Sequence, residues 1–430
     1  MNVCIYADNS CTYVDILLNV WRNGDCAVLI DPRIPLEKAI EQMISCDVKK
    51  CYTDKESIDH FHEAKLNFVN IHKEETKFFQ QASSCELFPK VYWERDALIL
   101  FSSGTTGAVK GVILSYFSIQ KNAEMIIDYL NPNAEDKLYI VKSLAHSSTV
   151  VGELLVALKT NTPILLGMTT QHMSSLWHHI INNSITILCL NPTLFHLLAQ
   201  YLLRIQPDAS QCVLKKIYTS GSILMERDVN DLKKSLEFVQ VMNVYGLTEA
   251  GPRITAQRQE EPVGSVGLPL KDIEIVITDE TGRQLSEGEN GIISVKTPCL
   301  FKGYVSGEAS LKEPVYKNWL NTGDIGYVDQ LGHLYITGRW DRMLTSGSHN
   351  VYPEQVEAVI IKFEGIQDCH VYGEDDLVLG KKLICIYEGE HEVTSQLLAY
   401  CRNHLAQYEI PKSFVHGTIP KTPNGKKRVE

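Results

Sequence analysis

Short apolar, β-branched runs alternate with amphipathic stretches along most of the chain. CAVLID (26–31), ALILFSS (97–103), ITILCLNP (185–192) and KKIYTSGS (215–222) end at polar or glycine positions, the pattern of buried strands. Between them, SIQKNAEMIIDYL (118–130) and TLFHLLAQYLLRI (193–205) place apolar residues at helical spacing. Strands alternating with helices predict an α/β fold of parallel or mixed sheets covered by helices, with ligands at the carboxyl ends of strands. From about residue 262 the texture changes. EIVITDETGRQLSEGENGIISVKTP predicts an antiparallel, hairpin-rich piece with turns at DETG and GENG. Near residue 340, GHLYITGRWDRM gives way to the loop SGSHN and a shorter α+β segment begins. The expected organisation is a large unit over 1–340, β-rich over about 262–340, followed by a small unit over 341–430.

Length agrees with more than one core: 430 residues exceed one ordinary compact domain. At 44% hydrophobic and 22% charged, the composition is that of a globular protein with a large interior. Lys+Arg 41 against Asp+Glu 52 gives a net charge of −11, which argues against a nucleic-acid partner but allows a local phosphate site. No apolar run approaches a membrane span, and MNVCIYADNS lacks the layout of a signal peptide. The 12 cysteines are scattered through apolar runs, and only CDVKKC (46–51) brings two close. Buried free thiols in a reducing cytoplasm are expected, rather than a cysteine metal site.

The densest candidate chemistry is FSSGTTGAVKG (101–111), set between the apolar runs ALIL and GVIL. Gly104, Gly107 and Gly111 let the backbone approach a ligand closely. Ser102, Ser103, Thr105 and Thr106 supply short donors, and Lys110 supplies a positive charge; together they suit polyphosphate oxygens. The spacing is not that of a Walker A loop. A plain Ser/Thr/Gly linker is the bland alternative, but linkers seldom sit tightly between two buried strands.

This stretch resembles the phosphate loop of the adenylate-forming superfamily: acyl- and aryl-CoA synthetases, peptide-synthetase adenylation domains and luciferase. Other segments resemble that family's motifs in the same order. LLNVWRNGDCAVLIDPRIP (17–35) is similar to its early segment, and YTSGS (218–222) and VYGLTEAG (244–251) to its adenine-pocket and aromatic-Thr-Glu segments. NTGDIGYVDQLGHLYITGRWDR (321–342) is similar to the ribose-aspartate and hinge region, and SGSHNVYPEQVE (346–357) to the opening of a mobile C-terminal domain. LAQYEIPKSF (405–414) and IPKTPNGKK (419–427) resemble the tail that carries a catalytic lysine.

The resemblance implies ATP-dependent activation of a carboxylic acid as an acyl-adenylate, with Mg²⁺, followed by transfer to a thiol. It places Gly221, Ser222, Asn243 and Gly246 along the nucleotide–acyl pocket and Tyr245 against adenine. Thr248 would meet a phosphate oxygen, and Glu249 would hold Mg²⁺, a hard cation suited to a carboxylate. Asp324 would receive the ribose hydroxyls, with Arg339 beside it and Asp341 as the hinge. Read without the family, Arg339 and Asp341 would be a surface ion pair worth little. Lys426 would bridge the substrate carboxylate and the α-phosphate; alone, NGKKR reads as a solvated basic turn. Gly347 would border the tunnel for the thiol of CoA, or of a carrier-protein phosphopantetheine acting in trans. His146, in SLAHSSTVVGEL, resembles a residue lining the acid pocket, with a core histidine as the alternative. No acidic residue follows it until Glu153, which disfavours α-amino acids and leaves aryl, acyl and β-amino acids.

The sequence departs from the family at three places. Val109 stands where a proline commonly precedes the lysine, Lys427 stands where an apolar residue commonly follows the catalytic one, and the phosphate loop arrives early. The last departure keeps open a second reading, a non-catalytic adenylate-binding relative with a trimmed N-terminus.

Overall fold

The computed structural model describes residues 1–55, 66–80, 87–103, 109–167, 172–221, 224–258, 261–262, 264–305, 315–346, 349–376, 379–390, 393–420 and 427. They fall into two compact units, Met1–Ile275 with Val295–Leu320, and Val276–Ser294 with Asn321–Glu430.

The first unit contains two mixed sheets. In the first, the strand order is Gly303–Tyr304, Val109–Ser115, Asp96–Ser103, Cys26–Leu29, Asn2–Tyr6, Lys50–Thr53 and Asn67–Asn70. The last five run parallel, while Val109–Ser115 returns antiparallel to Asp96–Ser103. The second sheet has the parallel run Gln240–Tyr245, Lys216–Thr219, Ile187–Leu190, Leu138–Ile140 and Ile164–Leu166 at its centre, with antiparallel strands at both edges. These strands fall on the apolar runs read in the sequence because burial on both faces demands continuous Val, Ile and Leu.

Helices cover the sheets where the sequence spacing places them. Tyr116–Leu130 starts at Ser115, whose side chain accepts from Ser118 N, and Pro192–Ile205 starts at Asn191, which accepts from Leu194 N. The second helix carries proline at its first turn, where no backbone donor is lost. Its inward residues Phe195, Leu198, Ala199 and Leu202 pack with Leu188, Leu190 and Ile217 of the sheet. Ten of the eleven described cysteines are buried and all are free; Cys46 and Cys51 of CDVKKC join Cys4 and Cys26 in the core of the first sheet. Among the described residues no helix is long and apolar enough to cross a membrane.

In the second unit, Leu334–Arg339 runs antiparallel to residues 324–328 and sets Asp324 opposite Arg339. The DETG turn closes on Asp279, whose carbonyl accepts from Gly282 N at 3.0 Å. A separate five-stranded sheet is built around the long pair Ile366–Asp376 and Gly380–Gly389, with the helices Pro353–Ile360 and Thr394–His404 in the same unit.

Candidate active site

The parallel strands of both sheets in the first unit deliver their carboxyl ends to one loop, residues 141–149. Asn9, just past Asn2–Tyr6, donates through Nδ2 to Lys142 O at 2.8 Å and accepts from Leu144 N at 2.9 Å. Asp31, just past Cys26–Leu29, lies 3.1 Å from His146 Nε2. From the second sheet, Ser147 Oγ and Thr248 Oγ1 share a hydrogen bond of 2.9 Å. Carboxyl ends converging in this way form the crevice where α/β sheets take their ligands.

VYGLTEAG makes a tight reversal after Gln240–Tyr245. Tyr245 O accepts from Ile254 N at 2.8 Å, and Thr248–Ala250 is a single 3-10 turn between them. Gly246 is required by space, since a Cβ there would stand 2.1 Å from Pro252 O. Asn243 is buried; its Oδ1 accepts from Thr219 Oγ1 at 3.3 Å, joining the YTSGS segment to this one. Gly221 lies exposed at φ +103°, a conformation open to glycine.

Glu249 is tied to the phosphate-loop hairpin through Tyr304, a residue the sequence reading missed. Tyr304 pairs with Val112 on the strand carrying Lys110, and its hydroxyl donates to Glu249 Oε1 at 3.1 Å. Burial, and then the Glu249 charge, push the Tyr304 pKa up and keep that hydroxyl a donor. The Lys110 ammonium lies 5.2 Å from the centre of the Tyr304 ring. Lys110 stands opposite Ser102, and Val109 opposite Ser103, so the loop opens from the carboxyl end of a buried strand. A free ammonium face, a hydroxyl and a hard carboxylate make a donor set that fits a magnesium polyphosphate. Mg²⁺ takes only one or two protein carboxylates and completes its shell with phosphate and water. Among the described residues there is no cluster of three or more His, Cys, Asp or Glu that could hold a metal.

His146 is neither a core histidine nor a lone pocket residue. Asp31 accepts from Arg33 N at 3.0 Å, Nε at 2.9 Å and Nη2 at 2.6 Å, and the same Arg33 Nη2 lies 3.4 Å from His146 Nε2. Burial raises the Asp31 pKa, but the hydrogen bonds from Arg33 and His146 outweigh it and hold the carboxyl well below the usual range. A carboxylate depressed by folding stabilises the native state above its unfolded pKa of about 3.9, and that contribution is lost as pH falls through the folded value. Asp31→Asn is therefore expected to cost about 1.5–3 kcal/mol near neutrality. In thermal melts the gap between wild type and variant should close as pH drops below about 4; a gap independent of pH would contradict the assignment.

In the second unit, Arg339 holds two carboxylates. Nη1 donates to the buried Asp324 Oδ1 at 2.9 Å, while Nε and Nη2 donate to Asp341 at 3.3 Å each. The surface-pair reading of Arg339 and Asp341 thus omits the stronger partner. Burial works against the Arg339 charge, but Asp324 and Asp341 outweigh it and hold its pKa above the ordinary guanidinium value.

Gly104, Thr105, Thr106, Gly107, Ser222, Gly347 and Lys426 lie outside the described residues. The neighbour Lys427 is described and anchored: its ammonium lies 2.9 Å from Asp368 and 3.4 Å from Glu357, and it donates to Cys369 O. Burial works against the Lys427 charge, yet Glu357 and Asp368 raise its pKa. Two carboxylates beside the ammonium explain how the fold accommodates a lysine at this position.

Comparison with known proteins gives consistent likenesses. A family model described as AMP-binding enzyme matches residues 1–305, and one described as AMP-binding enzyme C-terminal domain matches residues 355–426. The 2-succinylbenzoate–CoA ligase of Enterococcus faecalis is 27% identical, the match covering 99% of this chain and 86% of that one. A long-chain-fatty-acid–CoA ligase of Bacillus subtilis is 29% identical over 83% of this chain and 65% of its own length. Among solved structures, ATP-bound MatB from Rhodopseudomonas palustris superposes with a TM-score of 0.89 at 21% identity, covering 99% of this chain and 87% of that one. The o-succinylbenzoate CoA synthetase MenE of Bacillus subtilis, in complex with the acyl-adenylate OSB-AMP, gives 0.84 at 24%, covering 99% and 86%. At these identities the structural likeness concerns the fold.

Proposed function

This chain belongs to the AMP-binding enzyme family, and from that premise we propose that it activates a carboxylic acid with ATP and passes the acyl group to the thiol of CoA. The observation that carries the reading is the Lys110–Tyr304–Glu249 array beside the Ser147–Thr248 hydroxyl pair. It offers a cation, oriented hydroxyls and a carboxylate at the carboxyl edge of two sheets, which is the equipment for drawing two anions together.

In the first half-reaction the substrate carboxylate attacks the α-phosphorus of ATP and pyrophosphate leaves. Lys110 and the loop donors hold the outgoing phosphates, and Thr248 meets a phosphate oxygen. Asp324, held by Arg339, accepts from the ribose hydroxyls, and Tyr245 covers adenine. A divalent cation held at Glu249 would supply further neutralisation of phosphate charge. Lys426 brings the carboxylate and α-phosphate together. In the second half-reaction the thiol sulfur bonds to the acyl carbon and AMP leaves. We assign Asp341 as the hinge of a mobile domain beginning there, and Gly347 as the room for the thiol arm. The names of the CoA-ligase relatives support CoA over a carrier protein, and aryl or acyl acids as substrates. Glu153 lies 3.0 Å from Lys142, its partner in a buried ion pair.

Incubation with ATP, Mg²⁺, CoA and a panel of aryl, acyl and β-amino acids tests this by mass spectrometry of the products. Acyl-CoA, AMP and pyrophosphate are expected in equal amounts. Formation of ADP, or acyl transfer confined to a phosphopantetheinylated carrier, would contradict it.

A further inference from the structure

Next to the candidate site lies a buried charge cluster that the phosphate chemistry does not use. Lys142 follows Leu138–Ile140, Glu153 lies in the π-helical turn Val150–Leu155, and Arg253 follows the reversal after Thr248–Ala250. Lys142 Nζ is 3.0 Å from Glu153 Oε1, donates to Cys189 Sγ at 2.8 Å and stands 3.5 Å from Ser220 Oγ. Arg253 is fully buried, with its guanidinium 5.4 Å from the centre of the Tyr218 ring. Its Nη1 reaches Pro252 O at 3.3 Å, whereas Nε and Nη2 find no partner in hydrogen-bond geometry among the described residues. Gly152 makes room for it, because a Cβ there would stand 3.1 Å from Nη2.

Two cations against one carboxylate leave positive charge uncompensated in a low-dielectric interior. An unpaired buried charge is costly, and the fold tolerates it where a ligand supplies the missing anion. The position fits a ligand: Lys142, Cys189 and Ser220 all stand at carboxyl ends of adjoining parallel strands. The Lys142 side chain keeps 10% of its surface exposed, and its third donor meets only the stretched contact to Ser220. Burial works against the Lys142 charge, but Cys189 and Glu153 outweigh it and raise its pKa.

We propose that Lys142, flanked by Ser220 and backed by the field of Arg253, receives an anionic group at the far end of the acid, making this a ligase for dicarboxylic acids. The inference rests on acid activation at this site. Lys142 touches the substrate and sets specificity; Arg253 acts through its field.

The test is acid-dependent ATP–pyrophosphate exchange with matched pairs of acids, straight-chain and aryl, one ending in a carboxylate and the other in a methyl group. For the wild type, kcat/KM is expected to be at least about 10-fold higher for the carboxylate-ended member, the range of a hydrogen bond to a charged group. Lys142→Met should lower that ratio by about 10–100-fold, and Ser220→Ala should lower it less. A structural role would reduce both members together and leave the ratio unmoved, which would overturn the proposal. So would a wild-type preference for the methyl-ended acid, a result readable even if Lys142→Met does not fold. Exchange with monocarboxylates alone removes this inference and leaves acid activation standing; no exchange with any acid removes both.

Discussion

Glu249→Gln is expected to lower acid-dependent adenylation by about a hundred- to a thousand-fold, the range for losing one fixed electrostatic group at a transition state. The substitution is nearly isosteric. The glutamine carbonyl can still accept from the Tyr304 hydroxyl, now 3.1 Å from Glu249 Oε1, and the Phe301 N to Glu249 O bond at 2.9 Å is untouched. The polypeptide should therefore keep its melting temperature and lose only the negative charge that a hard cation needs. Raising Mg²⁺ should recover part of the rate, since a neutral amide oxygen is a weaker ligand than a carboxylate. Full activity at ordinary Mg²⁺ would remove Glu249 from the metal site.

Lys426→Ala carries the second large effect, and it should divide the two half-reactions. Acyl-adenylate formation is expected to fall by at least about a hundredfold, since in the proposed role the ammonium bridges two anions at the moment they meet. Thioester formation from supplied acyl-adenylate should change little. Lys427 is the built-in control for position. Its ammonium is fixed on Asp368, Glu357 and Cys369 O, pointing at its own unit's carboxylates. Equal loss in both half-reactions for Lys426→Ala would mean that the lysine serves the tail's structure, as Lys427 does.

Much of the fold is legible in the sequence because its signals are local. Apolar runs such as ALIL and TILCL are strands since burial on both faces admits little else, and Asn191-Pro192 marks a helix start by capping chemistry alone. The motifs themselves stand out in the sequence, because each chemistry demands a residue type at a short spacing. What escaped are contacts made by chain crossings. Ser147 meets Thr248 across 101 residues, His146 meets Arg33 across 113, and Tyr304 meets Glu249 across 55. Tyr304 had a faint signal, an aromatic after glycine in FKGY, but nothing local says that its hydroxyl faces a carboxylate. Arg253 had a stronger one, a lone cation within the apolar run GPRITA. Its burial near the Lys142–Glu153 pair depends on how three loops stack. The allotment of the β-rich stretch to two compact units likewise depends on which strands touch, and no local pattern carries that.

The central claim is that an acyl-adenylate forms before any thiol takes part. Isotopic exchange between pyrophosphate and ATP, measured without CoA and scanned over a panel of carboxylic acids, reads that step directly. The account predicts exchange that requires an acid and Mg²⁺, proceeds without CoA and falls with Glu249→Gln and Lys426→Ala. A protein that binds ATP yet exchanges no pyrophosphate with any acid would contradict it, and would leave an adenylate-binding relative without catalysis.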